Sequence, residues 1–313
     1  MSTSRNEPFS LEFTNETSLL IHPEQTILDA SLQAGIPHFH ACGGKGQCST
    51  CRVLVEEGEE QLAPPNQIEL KLAQRLRFPK GVRLACQTTV TGGPIKLHRL
   101  VRDETDLKML ADSKSHRMAQ SLGEERELAL FFLDIRNFTP FAEAHLPYDV
   151  IHILNRFFAL VRNAVQACGG RPIEVAGDSL YAVFGLDAEI KQAVAAGVTA
   201  GKRILEDIEK FNKSYLKVYF GHRLAVGIGL HVGRVICGDI GIGVGGALSV
   251  IGYPVNVAAR IQAATKEVNN SFLISAAAFR LLGSPPPAWS TTVNLKGISE
   301  PCQVYLLGKA YQE

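Results

Sequence analysis

The chain has no surplus of either charge: 32 Lys and Arg stand against 31 Asp and Glu, a net charge of +1. That balance removes the electrostatic reason to expect nucleic acid or a membrane surface as a partner. No apolar run approaches the length that spans a bilayer, and the opening MSTSRNEPFSLEF lacks the apolar core of a secretory signal. A cytoplasmic protein is therefore expected. At 313 residues, 46% hydrophobic and 20% charged, the chain is long enough for two domains with cores of their own.

Cysteine is scarce and unevenly spread. Of seven, Cys42, Cys48, Cys51 and Cys86 fall in the first 90 residues; Cys168, Cys237 and Cys302 are scattered and read as buried thiols. In a reducing compartment, clustered cysteines bind metal or do redox chemistry more often than they pair as disulfides. The spacing is C-x5-C-x2-C-x34-C, and the loop ACGGKGQCSTC adds glycines at 43, 44 and 46. Thiolates in a glycine-rich loop suit an iron–sulfur cluster, because backbone amides must come close to the inorganic sulfides. Structural zinc is the alternative, but zinc sites favour two C-x2-C pairs and only one is present. His38 and His40 flank the loop and, with four cysteines available, read as loop residues. GGKG lacks the spacing of a phosphate loop.

Around these cysteines the pattern alternates short strands with short helices. FSLEFT and SLLIHP, separated by NET, form a hairpin signal. TILDASLQAGI has helical spacing and stops at Gly35. CRVLVEEG reads as a strand, NQIELKLAQ as a short helix, and VRLACQTTVTGGPIKLH as two further strands around a Gly-Gly turn. A small mixed sheet wrapped around one helix fits this order. The run CGGKGQCSTCRVLVEEG, with RLACQ downstream, resembles the [2Fe–2S] ferredoxin domain, a β-grasp fold. The x5 first gap is closer to its adrenodoxin-like and reductase-associated branch than to the plant-type x4. The resemblance covers residues 1–100 and implies a [2Fe–2S] cluster held by Cys42, Cys48, Cys51 and Cys86.

Residues 101–126 are charged and broken by Gly123, with Leu107, Leu110, Met118 and Leu122 roughly on one helical face. They read as a connecting helix or linker, able to pair with its copy in a dimer.

From residue 127 to 311 the pattern changes. ELALFFLDIRNFTPF is a buried-strand run ending in Asp134. YDVIHILNRFFALVRNAVQACGG places Ile151, Leu154, Phe158, Val161 and Val165 at helical spacing before Gly169 and Gly170. RPIEVAGDSLYAVFG is two short strands joined at Gly177-Asp178. A turn aspartate needs no function, yet Asp134 and Asp178, both at strand ends, would bind divalent cations if they met. The segments LALFFLDIRNFT, GDSLYAVFG, GIGLHVGRVICGDIG and VIGYPVNVAARIQ occur in that order. Together they resemble the class III nucleotidyl cyclase catalytic domain, from about Leu128 to Leu307.

That resemblance implies a ferredoxin-like α/β sandwich, so that the chain as a whole is α+β. It also implies a head-to-tail homodimer with two active sites at its interface. By position, Asp134 and Asp178 would hold two Mg²⁺ or Mn²⁺ ions, with the Ile135 carbonyl as a further ligand. Asn256 would orient the ribose, Arg260 would stabilise the pentavalent phosphorus, and Lys296 would bind the terminal phosphates of ATP or GTP. Base choice would rest on Glu174 and Ser249. Glutamate accepts from the N1–H and amine of guanine and cannot donate to adenine N1, while serine decides nothing; the base stays open. Tyr253 and Asn137 depart from the family's aspartate and glycine without removing a catalytic group. GIGVGG (241–246) fits G-x-G-x-x-G without a strand–helix context and is assigned to the dimerisation arm.

Two functional readings follow. The first is a cyclase making cyclic AMP or cyclic GMP and pyrophosphate, with the cluster as redox sensor supplied by a redox partner or small reductant. The alternative is an electron-transfer ferredoxin whose cyclase-like half only binds nucleotide.

Overall fold

A computed structural model describes residues 7–101, 123–238, 248–283, 285 and 288–311. The chain divides into two compact units, Met1–Leu122 and Gly123–Glu313. The helical face expected around Leu107 to Leu122, and the glycine-rich stretch 241–246, lie outside the described residues.

The N-terminal unit is a five-stranded sheet in the order β2-β1-β5-β3-β4, formed by β1 (Phe9–Phe13), β2 (Thr17–Ile21), β3 (Arg52–Glu57), β4 (Val82–Leu84) and β5 (Ile95–Arg99). Only β1 and β5 run parallel, so the sheet is mixed as expected. Helix α1 (Ile27–Gln33) starts where Thr26 Oγ1 accepts the Asp29 N–H at 3.1 Å, and Gly35 ends it at φ +73°. It buries Ile27, Leu28 and Ala30 with Leu11, Phe13, Val53, Ile95 and Leu97. Helix α2 (Gln67–Leu76) is capped by Asn66 and carries one buried acid, Glu69.

Glu69 pins α2 to the sheet. Its carboxylate accepts two bonds from Arg83 at 2.9 and 3.0 Å and the Leu84 N–H at 2.7 Å. Arg83 also donates to the Ala63 carbonyl at 3.0 Å. With side-chain exposures of only 9% and 2%, the pair is desolvated, and loss of one member strands a buried charge.

The C-terminal unit is an open sheet in the order β12-β13-β11-β9-β6-β8-β7, with β10 paired to the end of β9. Its strands are β6 (Glu124–Ile135), β7 (Arg171–Ala176), β8 (Ser179–Phe184), β9 (Val226–Gly238), β10 (Ser249–Ile251), β11 (Phe272–Ser275), β12 (Trp289–Val293) and β13 (Cys302–Leu306). Strand β6 begins at Glu124, so it takes in the last three residues of the segment read as a joint. Helices α3 (Phe138–Ala144), α4 (Pro147–Ala167) and α5 (Ile190–Phe211) follow in order; after α6 (Lys217–Phe220), α7 (Tyr253–Ala264) precedes the short α8 (Ala276–Phe279).

Alternation along β6 builds the two faces. Ala129, Phe131, Leu133 and Ile135 enter the core beneath α4 and α5, whereas Leu128, Leu130 and Phe132 join a second cluster on the face that carries Asp134. On α4 the buried residues are Val150, Ile153, Phe157, Phe158, Val161, Ala164 and Val165, and Ile151 is 53% exposed. Of the expected stripe, Phe158, Val161 and Val165 are buried, whereas Leu154 is half-buried and Ile151 exposed, because Val150 and Ile153 take the core side at the start of the helix. Cys237 is buried as expected, but Cys168 and Cys302 are only half-buried.

Replacing Arg83 with Met should destabilise the N-terminal unit by about 3–5 kcal/mol. Trp289, the only tryptophan, reports the C-terminal unit alone. The expected outcome is a urea transition seen by circular dichroism that moves to lower concentration while the tryptophan fluorescence transition stays in place.

Candidate active site and cluster-binding loop

The cysteine loop is a succession of left-handed turns, with Gly43, Gly44 and Gly46 at φ +65°, +81° and +65°. A Cβ on Gly46 would come within 2.5 Å of Ile68, and one on Gly44 within 3.5 Å of Leu28. Side chains are therefore disfavoured at all three by conformation, and at Gly46 by packing as well. All four cysteines are free thiols and they come as two pairs. Cys51 Sγ donates to Cys86 Sγ at 3.4 Å, far longer than a disulfide bond. Cys48 Sγ lies 3.1 Å from Thr50 Oγ1, and Cys42 and Cys48 neighbour each other closely enough to shift one another's charge state.

In each pair one thiol is acidified and the other is not. The hydrogen bond from Cys51, supported by Gln87 and the Gly46 amide, lowers Cys86 to about 6. For Cys42, burial works against the charge and is outweighed by backbone amides of Gln47, Cys48 and Lys45 together with the Cys48 thiol. Cys51 is raised by donating to Cys86, and Cys48 is raised by burial. Among the described residues no three Cys, His, Asp or Glu side chains converge on one ion. Two separate thiol pairs, ringed by N–H donors, fit a binuclear cluster better than a single tetrahedral zinc.

His38 lies, as expected, in the irregular stretch before the cysteine loop, and its side chain is buried at 1% exposure. Its Nδ1 lies 3.0 Å from Ser31 Oγ, and burial, then the Arg99 charge, lowers its pKa to about 4. His40 Nδ1 contacts the His38 carbonyl at 2.7 Å. Both histidines are occupied in shaping the loop's approach.

In the C-terminal unit, antiparallel register sets Asp134 on β6 opposite Ser179 on β8, one residue after Asp178. The β7–β8 turn is two residues, Gly177 at φ +60° and Asp178, closed by Ser179 Oγ donating to the Ala176 carbonyl at 2.8 Å. The acids are brought close together. Burial, then the charge of Asp178, raises Asp134 to about 6, with Arg136 pulling the other way. Hard carboxylate oxygens beside the Ile135 backbone would suit Mg²⁺ or Mn²⁺.

Asn256 and Arg260 occupy the outer face of α7, one turn apart and exposed. The helix lies close on β9: Pro254 sits over Gly233, where a Cβ would come within 2.5 Å, and Gln262 over Gly229. Thr265, just past its C-terminus, lies over Gly227, the β9 partner of Asp134. A rise of ~1.5 Å per residue puts Arg260 about 8 Å and Asn256 about 14 Å from Thr265 along the axis. Lys296 is exposed in the β12–β13 loop, and its neighbour Leu295 packs with Val257 and Ile261 of α7. One chain thus presents two groups: the acids at the strand ends, and Asn256, Arg260 and Lys296 on the α7 layer.

Glu174 pairs with Tyr181, which stacks on Phe132 at 4.5 Å, two residues before Asp134 on the same face. Ser249 starts β10, and its neighbour Val250 shares a cluster with Tyr181. Both base-reading candidates therefore border one apolar patch. Asn137 adopts φ +54° at the start of α3, which explains why the family has glycine there and how asparagine serves. Tyr253 opens α7 and is exposed.

Arg136 escaped the sequence reading. It donates to the Gln262 carbonyl at 3.1 Å and to Thr265 Oγ1, and lies over the Tyr311 ring at 5.8 Å. A cation two residues after the acid was visible, but its partners lie more than a hundred positions away.

Residues 122–307 match the adenylate and guanylate cyclase catalytic domain, and residues 14–91 match the 2Fe-2S iron-sulfur cluster binding domain. The adenylate cyclase of Anabaena cylindrica is 32% identical over 188 residues, covering 58% of this chain and 36% of that one. The chain thus spans about a third of the length of that relative. The adenylyl cyclase CyaB from P. aeruginosa superposes with a TM-score of 0.55 at 22% identity, covering 60% of this chain and 97% of that chain. The guanylyl cyclase Cya2 does so at 0.52 and 24%, covering 61% and 95%. Among the described residues no helix is long and apolar enough to cross a membrane.

Asp134 is held at a stability cost in the metal-free protein. Its folded pKa of about 6 lies above the unfolded value near 3.9, so the folded state binds the proton more tightly. The contribution of Asp134 to stability is greatest below about pH 4 and falls as pH rises through about 6. Asp134→Asn should therefore raise metal-free stability by about 1–3 kcal/mol at neutral pH and by nothing near pH 4, measured by urea unfolding. These residues, their order along the sheet and the family match place the chain in the adenylate and guanylate cyclase catalytic-domain family, behind an N-terminal 2Fe-2S domain.

Proposed function

We propose that the protein cyclises a purine nucleoside triphosphate, ATP or GTP, at sites shared between two copies of the chain, and that its N-terminal cluster reports redox state to that reaction. The observation that carries this reading is the division of one chain's machinery into two groups, the Asp134–Asp178 pair and the Asn256–Arg260–Lys296 layer. Head-to-tail pairing would set the acids of one subunit against the α7 face of the other.

In the reaction the 3′-hydroxyl loses its proton, its oxygen bonds to the α-phosphorus, and the bond to pyrophosphate breaks. Mg²⁺ or Mn²⁺ held by Asp134, Asp178 and the Ile135 carbonyl would supply Lewis acidity toward the hydroxyl and neutralise charge on the departing phosphates. Arg260 offers a fixed fork of N–H donors to the crowded phosphorus, and Asn256, one turn earlier, holds the ribose so that attack is in line. Lys296 supplies a point charge to the terminal phosphates. Glu174 favours guanine by hydrogen-bond logic, since an acceptor facing adenine N1 would cost about 1–3 kcal/mol.

Cys42, Cys48, Cys51 and Cys86 would hold the [2Fe–2S] cluster, which supplies one-electron redox chemistry. Its presence on the same chain as the cyclase unit supports a regulatory role. Turnover measured anaerobically with the cluster oxidised and then reduced should differ; equal rates would leave the cluster without that role.

Arg260→Ala should lower turnover roughly 10²–10³-fold. Asp178→Ala should be inactive as well. Mixed in equal amounts with subunit exchange, the two variants should recover about a quarter of wild-type turnover, because half the dimers then carry one intact site of two. No recovery would mean that each chain uses its own residues.

A further inference from the structure

The N-terminal unit has its charges sorted along β3, and the sorting is about the cysteine loop. Arg52 opens the strand next to Cys51, and its Nε donates to the Ser49 carbonyl at 2.8 Å. Glu56 and Glu57 close the strand, with Glu59 and Glu60 in the turn beyond. At ~3.3 Å per residue the acids lie about 13 Å or more from Arg52. Glu12 belongs to the same far end, since Lys96 pairs with it at 3.7 Å and stands opposite Glu57.

The near end is basic. Lys45 is exposed within the loop itself. Helix α2 flanks the loop: Ile68 covers Gly46, and Asn66 Nδ2 holds Gln87, whose own amide reaches Cys86 Sγ at 3.5 Å. Lys71 and Arg75 follow Ile68 at the third and seventh positions and are exposed on the same face. Arg77 is exposed where α2 ends, and the next residue, Phe78, lies under the Arg52 guanidinium at 5.7 Å. Asp29, bonded to Thr26, is the acid placed beside this end through Leu28 and Gly44. A diferric core with four thiolates adds two negative charges, so the five cations still leave the rim positive.

We propose that this rim is the docking face for an acidic one-electron carrier protein. An acidic carrier complements this face, and its attraction would speed encounter next to the cluster. The exposed Ile68, at 50%, gives the contact an apolar centre inside a charged border. One electron passes from carrier to core, with no atom or proton transferred. The proposal rests on the cluster-binding reading of the four cysteines and is independent of the cyclase reaction.

The test is stopped-flow reduction of the full-length holoprotein by an acidic flavodoxin in its hydroquinone form, read by absorbance without oxygen. The wild-type second-order rate should fall about ten- to a hundredfold between low salt and about 0.5 M NaCl. Lys71→Glu with Arg75→Glu, away from the cysteines, should slow it about tenfold or more at low salt and flatten the salt dependence. Reduction by the small methyl viologen radical cation should not slow in that variant, showing that the cluster is intact. Equal flavodoxin rates for both proteins, or a wild-type rate indifferent to salt, would overturn the proposal. So would a wild-type protein that assembles no cluster, which absorbance and electron paramagnetic resonance would reveal before any donor is added.

Discussion

Two carboxyl groups held side by side at the end of a sheet repel each other, and much of the C-terminal unit is arranged so that they cannot separate. Asp134 is the penultimate residue of a twelve-residue strand paired along its whole length with β9, and Asp178 sits in the two-residue turn between β7 and β8. A shift of one residue in the β6–β8 register would send Asp134 into the face occupied by Leu133 and Ile135. The aromatic core of Phe131, Phe157, Phe184 and Phe272 resists that shift. Burial first and this repulsion second hold the pKa of Asp134 up. A divalent cation bound there would offset both, so that a stability defect in the empty protein would also be a source of affinity.

The N-terminal unit solves the opposite problem. Four sulfurs must be electron-rich yet close, and here backbone amides and thiol donors do the work that a counter-charge would otherwise do. The Glu69–Arg83 pair is placed where it steadies this arrangement. It clamps α2 onto the strand that leads into Cys86, and α2 in turn covers Gly46. A buried ion pair is a poor source of net stability, but a good source of a single register between helix and strand.

Features written in short, local patterns were legible before the fold was known. The β1–β2 hairpin, α1 with its Gly35 stop, the Gly177-Asp178 turn and the glycine-rich cysteine loop all rest on contacts within a few residues. Both sheets were foreseen in kind. What the sequence hid depends on distance along the chain. The burial of His38 needs Ser31 and Arg99, the role of Arg136 needs Thr265 and Tyr311, and the covering of α7 needs glycines on β9. The start of α4 was less legible for a different reason: Ile151 and Leu154 are as apolar as Val150 and Ile153, so periodicity could not choose between adjacent stripes there, while Phe158, Val161 and Val165 fall on the buried side. Site roles came from motif order, and the structure adds that the five polar residues form two groups on one chain.

The account turns on the acids gripping divalent ions for a bound triphosphate. Its most direct test is a Mn²⁺ titration of the purified protein, followed by electron paramagnetic resonance, with a non-cyclisable triphosphate lacking its 3′-hydroxyl. The account predicts two Mn²⁺ per active site in the wild-type protein, with tight binding lost in both Asp134→Asn and Asp178→Asn. Mn²⁺ uptake that is the same in all three proteins would contradict it.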